Sequence, residues 1–215
     1  MTADAIGAGI PRALPRASIR DIVFDIGRVF VEIEPRPLLE LLAAHSAACT
    51  DLQSLIAAIA LDEHECGRLA SAELIERIGA LAARPISPEL VRSKWLDMFT
   101  LAPEMVRLAQ GLSSRYRIYL LSNVGELHWD HLCREYELHR LAHDALPSFV
   151  AGVMKPDAAI YAHAERRFGL DPPATVFIDD RAENIAAAAS RGWRGVRHES
   201  YAATLAALRE LGVEA

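Results

Sequence analysis

The sequence predicts an α/β fold, a parallel sheet covered by helices on both faces with a helical segment inserted after its first strand. Two observations carry this. Short apolar runs alternate with stretches of helical periodicity in Arg117–Leu211, the pattern of a parallel sheet with helical crossovers. Between Glu34 and Pro103, by contrast, only helical spacing is legible. The predicted boundaries are an arm over 1–18, a core over 19–33 and 104–215, and a helical insertion over 34–103.

The first strand is Ile22-Val-Phe24, running directly into Asp25, with Gly27 two positions on and a second apolar run over Val29–Val31. A continuous apolar run reads as a strand buried on both faces. In the insertion, Leu38, Leu41, Leu42, Leu55, Ile56 and Ile59 fall at helical spacing, with Asp51 as an N-cap. Ser71 opens a further helix, and Ser87-Pro88 is an N-cap followed by proline at the first helical position. After a helix over 104–114 the second strand is Arg117–Leu121, ending in Ser122-Asn123. The third strand is expected at Ser148–Gly152, followed by Lys155-Pro156 and a helix capped by Asp157. The fourth, Ala174–Ile178, ends in Asp179-Asp180; a fifth is expected at Gly195–Arg197, before a last helix over 202–211.

Composition narrows the function. The 215-residue chain carries a net charge of −6 with scattered basic residues, which argues against a nucleic-acid partner. Cys49, Cys66 and Cys133 form no CxxC pair, which fits a reducing compartment. No apolar run is long enough to span a bilayer, and the first residues lack the order of a secretory signal, so a cytoplasmic location is expected. Oligomeric state is left open between monomer and homodimer.

Three strands stop on polar groups: Asp25, Ser122-Asn123 and Asp179-Asp180. In a parallel sheet these meet at one rim, within reach of Lys155. Crowded carboxylates raise one another's pKa, and a hard divalent cation removes the conflict. Mg²⁺ takes one or two carboxylates plus phosphate oxygens, which points to a small phosphorylated substrate. Asp25 is then the candidate nucleophile, with Lys155 offsetting phosphoryl charge and Ser122 and Asn123 holding phosphate.

FDIGRVFVE, LLSN, the lysine of VMKPDAAIY, and FIDDRAEN occur in the order of the four motifs of haloacid-dehalogenase-superfamily hydrolases, which the chain resembles from Asp25 to about Ala188. The resemblance implies a Rossmann-like core of strand order 3-2-1-4-5, a helical cap over the insertion, and Mg²⁺ held by Asp25, the Gly27 carbonyl, and Asp179 or Asp180. One departure stands out. The family's phosphatases usually carry a second aspartate where this chain has Gly27, acting as general acid and base. Its loss predicts a preference for good leaving groups such as sugar 1-phosphates. Alternatives are a dehalogenase-like hydrolase using Asp25 on carbon, which the retained metal acids disfavour, and a catalytically silent binding protein.

Other polar groups read more blandly. Asp62, Glu63, His64, Glu65 and Arg68 first suggest a solvated face, although some could face the substrate or supply the missing acid. His128 and His131 stand three apart without a third zinc ligand at suitable spacing. Glu183 and Asn184 fit equally a supporting role at the site and a plain helix surface.

Overall fold

The computed structural model describes residues 18–46 and 51–214. The expected arm falls outside the described residues except for Ser18, as does Cys49. In chain order the elements are β1 (Asp21–Phe24), β2 (Val31–Ile33), α1 (Arg36–Ala44), α2 (Leu52–Ile59), α3 (Leu61–Glu65), α4 (Ser71–Ala80), α5 (Pro88–Leu96), β3 (Phe99–Leu101) and α6 (Pro103–Leu112). There follow β4 (Arg117–Ser122), α7 (Glu126–Glu135), β5 (Asp144–Pro147), α8 (Ser148–Ala151), α9 (Ala158–Phe168), β6 (Thr175–Asp179), α10 (Ala182–Ser190), β7 (Arg194–Arg197) and α11 (Tyr201–Glu210).

The main sheet has order β5-β4-β1-β6-β7 and is parallel throughout. Its numbering departs from 3-2-1-4-5 because β2 and β3 leave it to form a separate antiparallel pair. Strand alternation sorts the core into two layers. Ile22, Phe24, Ile118, Leu120, Val176 and Ile178 pack with Met105, Leu112, Leu132 and Leu208 from α6, α7 and α11. On the other face Val23, Tyr119, Leu121 and Phe177 pack with Ile160, Tyr161, Phe168 and Ala188 from α9 and α10. Among the described residues, no helix is long and apolar enough to cross a membrane.

Two expectations need correction. Ser148–Ala151 is helix α8, not a strand; the third strand of the main sheet is Asp144–Pro147. Pairing with one neighbour only, β4, β5 lies at the sheet edge. An edge strand tolerates proline and a polar start, so it carries no continuous apolar run. The insertion is also not purely helical. Phe99–Leu101 pairs antiparallel with Val31–Ile33, a ribbon of three residues a side, too short for periodicity to reveal.

The insertion has its own core: Leu38, Leu42, Leu55, Ile59, Leu74, Ile78, Val91 and Trp95, joined by Leu127 of α7. The expected caps form. Asp51 accepts from Ser54 N at 2.9 Å, Ser87 from Leu90 N at 3.3 Å and Asp157 from Ala159 N at 2.8 Å.

β1 has an acid at each end. Asp21, fully buried at its start, is gripped by Arg117 of β4, Nε to Oδ1 at 2.6 Å and Nη2 to Oδ2 at 2.9 Å. Removing one member of such a pair strands a buried charge. Arg117→Ala is expected to lower stability by about 2 kcal/mol, since the guanidinium itself is half-exposed. Urea denaturation checks this, with activity unaffected because this pair lies at the rim away from Asp25.

Candidate active site

The register of the sheet builds the site. Phe24 pairs with Ile178 and Leu120, so the next residues along β1 and β6, Asp25 and Asp179, emerge side by side. Asp25 N donates to Ile178 O at 2.8 Å, which fixes this alignment. β1 and β6 adjoin where the direction of strand addition reverses, the crevice in which open α/β sheets bind ligands.

Asp25, Asp179 and Asp180 each offer an oxygen within 4.8 Å of the others. Lys155 Nζ sits between two of them, 2.9 Å from Asp25 Oδ1 and 2.7 Å from Asp179 Oδ2. All three of these side chains are buried. Asp25 also accepts from Ile26 N at 2.7 Å. Asp179 accepts from Arg181 N at 2.8 Å and from Asn184 Nδ2, at 3.0 Å to each oxygen.

Charge is out of balance here. Burial pushes the Asp25 carboxyl up to about 6; Lys155 opposes this, Asp179 adds to it, and hydrogen bonds from Lys155 and Ser122 oppose it again. Burial pulls the Lys155 ammonium down, but Asp25 and Asp179 outweigh it and hold the group above its ordinary value. Asp180 is raised by burial and by Asp179. One ammonium among three acids leaves room for a further positive charge. Asn184 Oδ1, buried with no hydrogen-bond partner among the described residues, leaves an acceptor open beside Asp179. The acids, the Gly27 carbonyl and this acceptor fit a hydrated hard cation.

Asp25, Gly27, Lys155, Asp180 and Asn184 line a cavity of about 370 Å³. Ser122 and Asn123 line it as well, while Asp179 lies behind the wall, joined to it through Lys155. Asn123 is committed to another task, however. Its Nδ2 donates to Lys155 O and its Oδ1 accepts from Lys155 N, both at 2.8 Å. It clamps the main chain that carries the lysine. Asn123→Ala is therefore expected to reduce kcat about tenfold or more by loosening Lys155. Steady-state kinetics with the fold monitored by circular dichroism checks this.

Of the pair left undecided, Asn184 supports Asp179, whereas Glu183 pairs with Arg181 at the surface. Arg28, in the left-handed region at φ 57°, lies 3.9 Å from Asp180 at the mouth. His128 stacks on Trp95 with ring centroids 4.7 Å apart, and burial pulls its pKa down to about 3; it is a neutral packing residue. The opposite wall of the cavity is apolar: Ile33, Leu52, Ile56, Leu61, Met98 and Phe99. Asp62 and Glu65 also line it.

A doubly wound sheet with paired acids and a lysine at its switch point defines an α/β protein whose crevice suits a cation and an anionic ligand together. Residues 16–192 match the haloacid dehalogenase-like hydrolase family, and the chain belongs to that family. It is 23% identical over 192 residues to a sesquiterpene phosphatase of Aspergillus oryzae, covering 88% of this chain and 94% of the relative. A HAD-family enzyme of Bacteroides thetaiotaomicron, solved with magnesium and inorganic phosphate, superposes with TM-score 0.75 at 21% identity, over 85% of this chain and 95% of that one. A HAD-like hydrolase of Porphyromonas gingivalis gives TM-score 0.77 at 24% identity, over 93% and 100%.

Proposed function

We propose that the protein is a Mg²⁺-dependent phosphatase of small phosphomonoesters whose remaining body is largely apolar. The observation that carries this reading is the trio Asp25, Asp179 and Asp180, with oxygens within 4.8 Å of one another, served by one lysine. The likeness to a phosphatase and to an enzyme bound to magnesium and phosphate supports it. The apolar wall opposite the acids supports the substrate class.

Asp25, Asp179, Asp180 and the Gly27 carbonyl would hold Mg²⁺, which neutralises charge on the phosphoryl oxygens when bound. Asp25 attacks phosphorus in line and becomes an aspartyl-phosphate; water then cleaves it. Lys155 stabilises the charge developing on the phosphoryl oxygens, and Ser122 donates to them. Asn123 positions Lys155. The insertion over 34–103 acts as a cap that supplies the apolar wall and excludes bulk water.

The test is a substrate panel run with and without Mg²⁺. Metal-dependent phosphate release, faster from prenyl and aryl monophosphates than from sugar phosphates, is expected. Metal-independent halide release from 2-chloropropionate would instead make the chain a dehalogenase. Binding without turnover would make it a silent member of the family.

Metal linkage gives a second check. A carboxyl whose folded pKa lies above its unfolded value adds stability below the unfolded pKa, and loses it as pH rises through the folded one. Asp25, raised to about 6, therefore weakens the metal-free fold above that pH. Mg²⁺ relieves the strain only where the acid is ionised. Differential scanning calorimetry is expected to find a larger Mg²⁺-induced rise in Tm at pH 8 than at pH 5.

A further inference from the structure

We propose that Glu65, at the C-terminal end of α3, donates the proton to the departing ester oxygen and then activates the hydrolytic water, the work for which Gly27 has no side chain. This rests on the phosphatase reading above and replaces the leaving-group bias expected from Gly27.

Glu65 lines the same cavity as Asp25, Gly27, Lys155 and Asp180, although forty residues separate it from Asp25 in sequence. Its place in the wall is fixed by the core. Ser148 Oγ donates to Glu65 O at 2.6 Å and accepts from Val124 N at 3.0 Å, tying the end of α3 to the segment that follows β4. Just beyond, Gly67 (φ +71°) abuts the main chain of α8; a Cβ there would lie 2.4 Å from Phe149 O. The neighbouring His64 bonds Leu69 O at 2.9 Å and packs on Gly125 so closely that a Cβ at 125 would fall 2.2 Å from the imidazole. Three contacts thus seat this turn against the catalytic half of the molecule.

The Glu65 carboxyl itself makes no hydrogen bond or ion pair with another described residue. The nearby cations are already engaged: Lys155 by Asp25 and Asp179, and Arg181 by Glu183. A half-buried carboxyl left without a partner is disfavoured as the anion. Burial, then Asp62 and Asp25, push Glu65 up to about 7, against the pull of Lys155 and Arg181. It therefore holds a proton in a useful fraction of molecules near neutral pH.

The steps balance. Asp25 Oδ forms a bond to phosphorus as the ester P–O bond breaks. The electron pair stays on the leaving oxygen, which takes the proton of Glu65 and departs as the alcohol. The Glu65 carboxylate then removes a proton from water as the water oxygen bonds to phosphorus. The Asp25–phosphorus bond breaks, phosphate leaves, and Glu65 is again protonated.

The experiment compares single-turnover rates of the full chain and its Glu65→Gln variant with Mg²⁺, on p-nitrophenyl phosphate and glycerol phosphate. p-Nitrophenolate leaves without a proton, whereas a glycerol alkoxide does not. In the variant the ratio of the two rates is expected to shift against glycerol phosphate by about 10²-fold or more. An unchanged ratio, with both rates lowered alike or both intact, overturns the assignment while leaving the phosphatase reading in place. A wild-type chain that releases phosphate from neither ester removes that reading, and the assignment with it.

Discussion

Asp25→Asn is expected to abolish phosphate release, by about 10⁴-fold or more, while leaving the fold intact. The amide has the shape of the carboxylate but cannot attack phosphorus, and losing a nucleophile costs more than losing any group that assists it. The fold survives because neither anchor depends on the charge. Asp25 N still donates to Ile178 O, and the amide oxygen can still accept from Ile26 N. Lys155 keeps Asp179 at 2.7 Å. The variant also has an opposite signature in stability. Burial holds the Asp25 carboxyl at about 6, so at pH 8 the wild type maintains an ionised group in a place that disfavours it. A neutral side chain avoids that cost. Without metal at pH 8, Asp25→Asn is expected to melt at a higher temperature than wild type, with a smaller gain at pH 5. A single thermal series at two pH values, paired with a phosphate-release assay, reads both effects. A variant that retains more than a hundredth of wild-type activity would remove Asp25 from the chemistry.

Lys155→Met is expected to damage activity and stability together. The ammonium lies within 3 Å of two buried carboxylates, and nothing else among the described residues takes its place between them. Methionine fills the space but leaves Asp25 and Asp179 facing each other as like charges. Breaking a buried ionic arrangement from one side costs about 3–5 kcal/mol. The cost depends on pH in a definite direction. Lys155 is a cause that holds the Asp25 pKa down, so without it the variant is weakest where Asp25 is ionised and recovers as that acid takes up its proton. Urea midpoints are expected to differ from wild type more at pH 8 than at pH 5. Turnover is expected to fall about 10²–10³-fold, since a preorganised charge aimed at the phosphoryl group is lost. Equal destabilisation at both pH values would mean that Lys155 serves packing rather than charge balance.

Much of this site could be read from the chain because its parts share one feature. Buried parallel strands demand apolar runs, so a polar residue at the end of each run marks the sheet rim. Asp25, Ser122 and Asp179 announce themselves in that way, and their family spacing adds Lys155. The edge strand was hidden for the converse reason. Asp144–Pro147 has one strand partner and needs no continuous apolar run, while the more apolar Ser148–Ala151 beside it folds as a helix. The β2–β3 ribbon escaped because three residues a side carry no period. Glu65 was visible only as one acid in a charged segment. Its place depends on contacts of its turn, Glu65 with Ser148 and Gly67 with Phe149, more than eighty positions away, which no local pattern encodes. Asn123 was found in the right place with a different task, because an amide beside a phosphate site and an amide holding a loop look identical in sequence.

The ribbon of Val31–Ile33 and Phe99–Leu101 means that the chain departs for the insertion and returns from it through adjacent, hydrogen-bonded strands. Everything between them is therefore a cassette with its two ends stitched together. Recombination at that seam could graft a foreign insertion onto the same sheet without repositioning Asp25 or Asp179. With Glu65 aboard the cassette, such a graft would exchange the proposed proton donor along with the apolar wall, changing selectivity and leaving-group demand in one event.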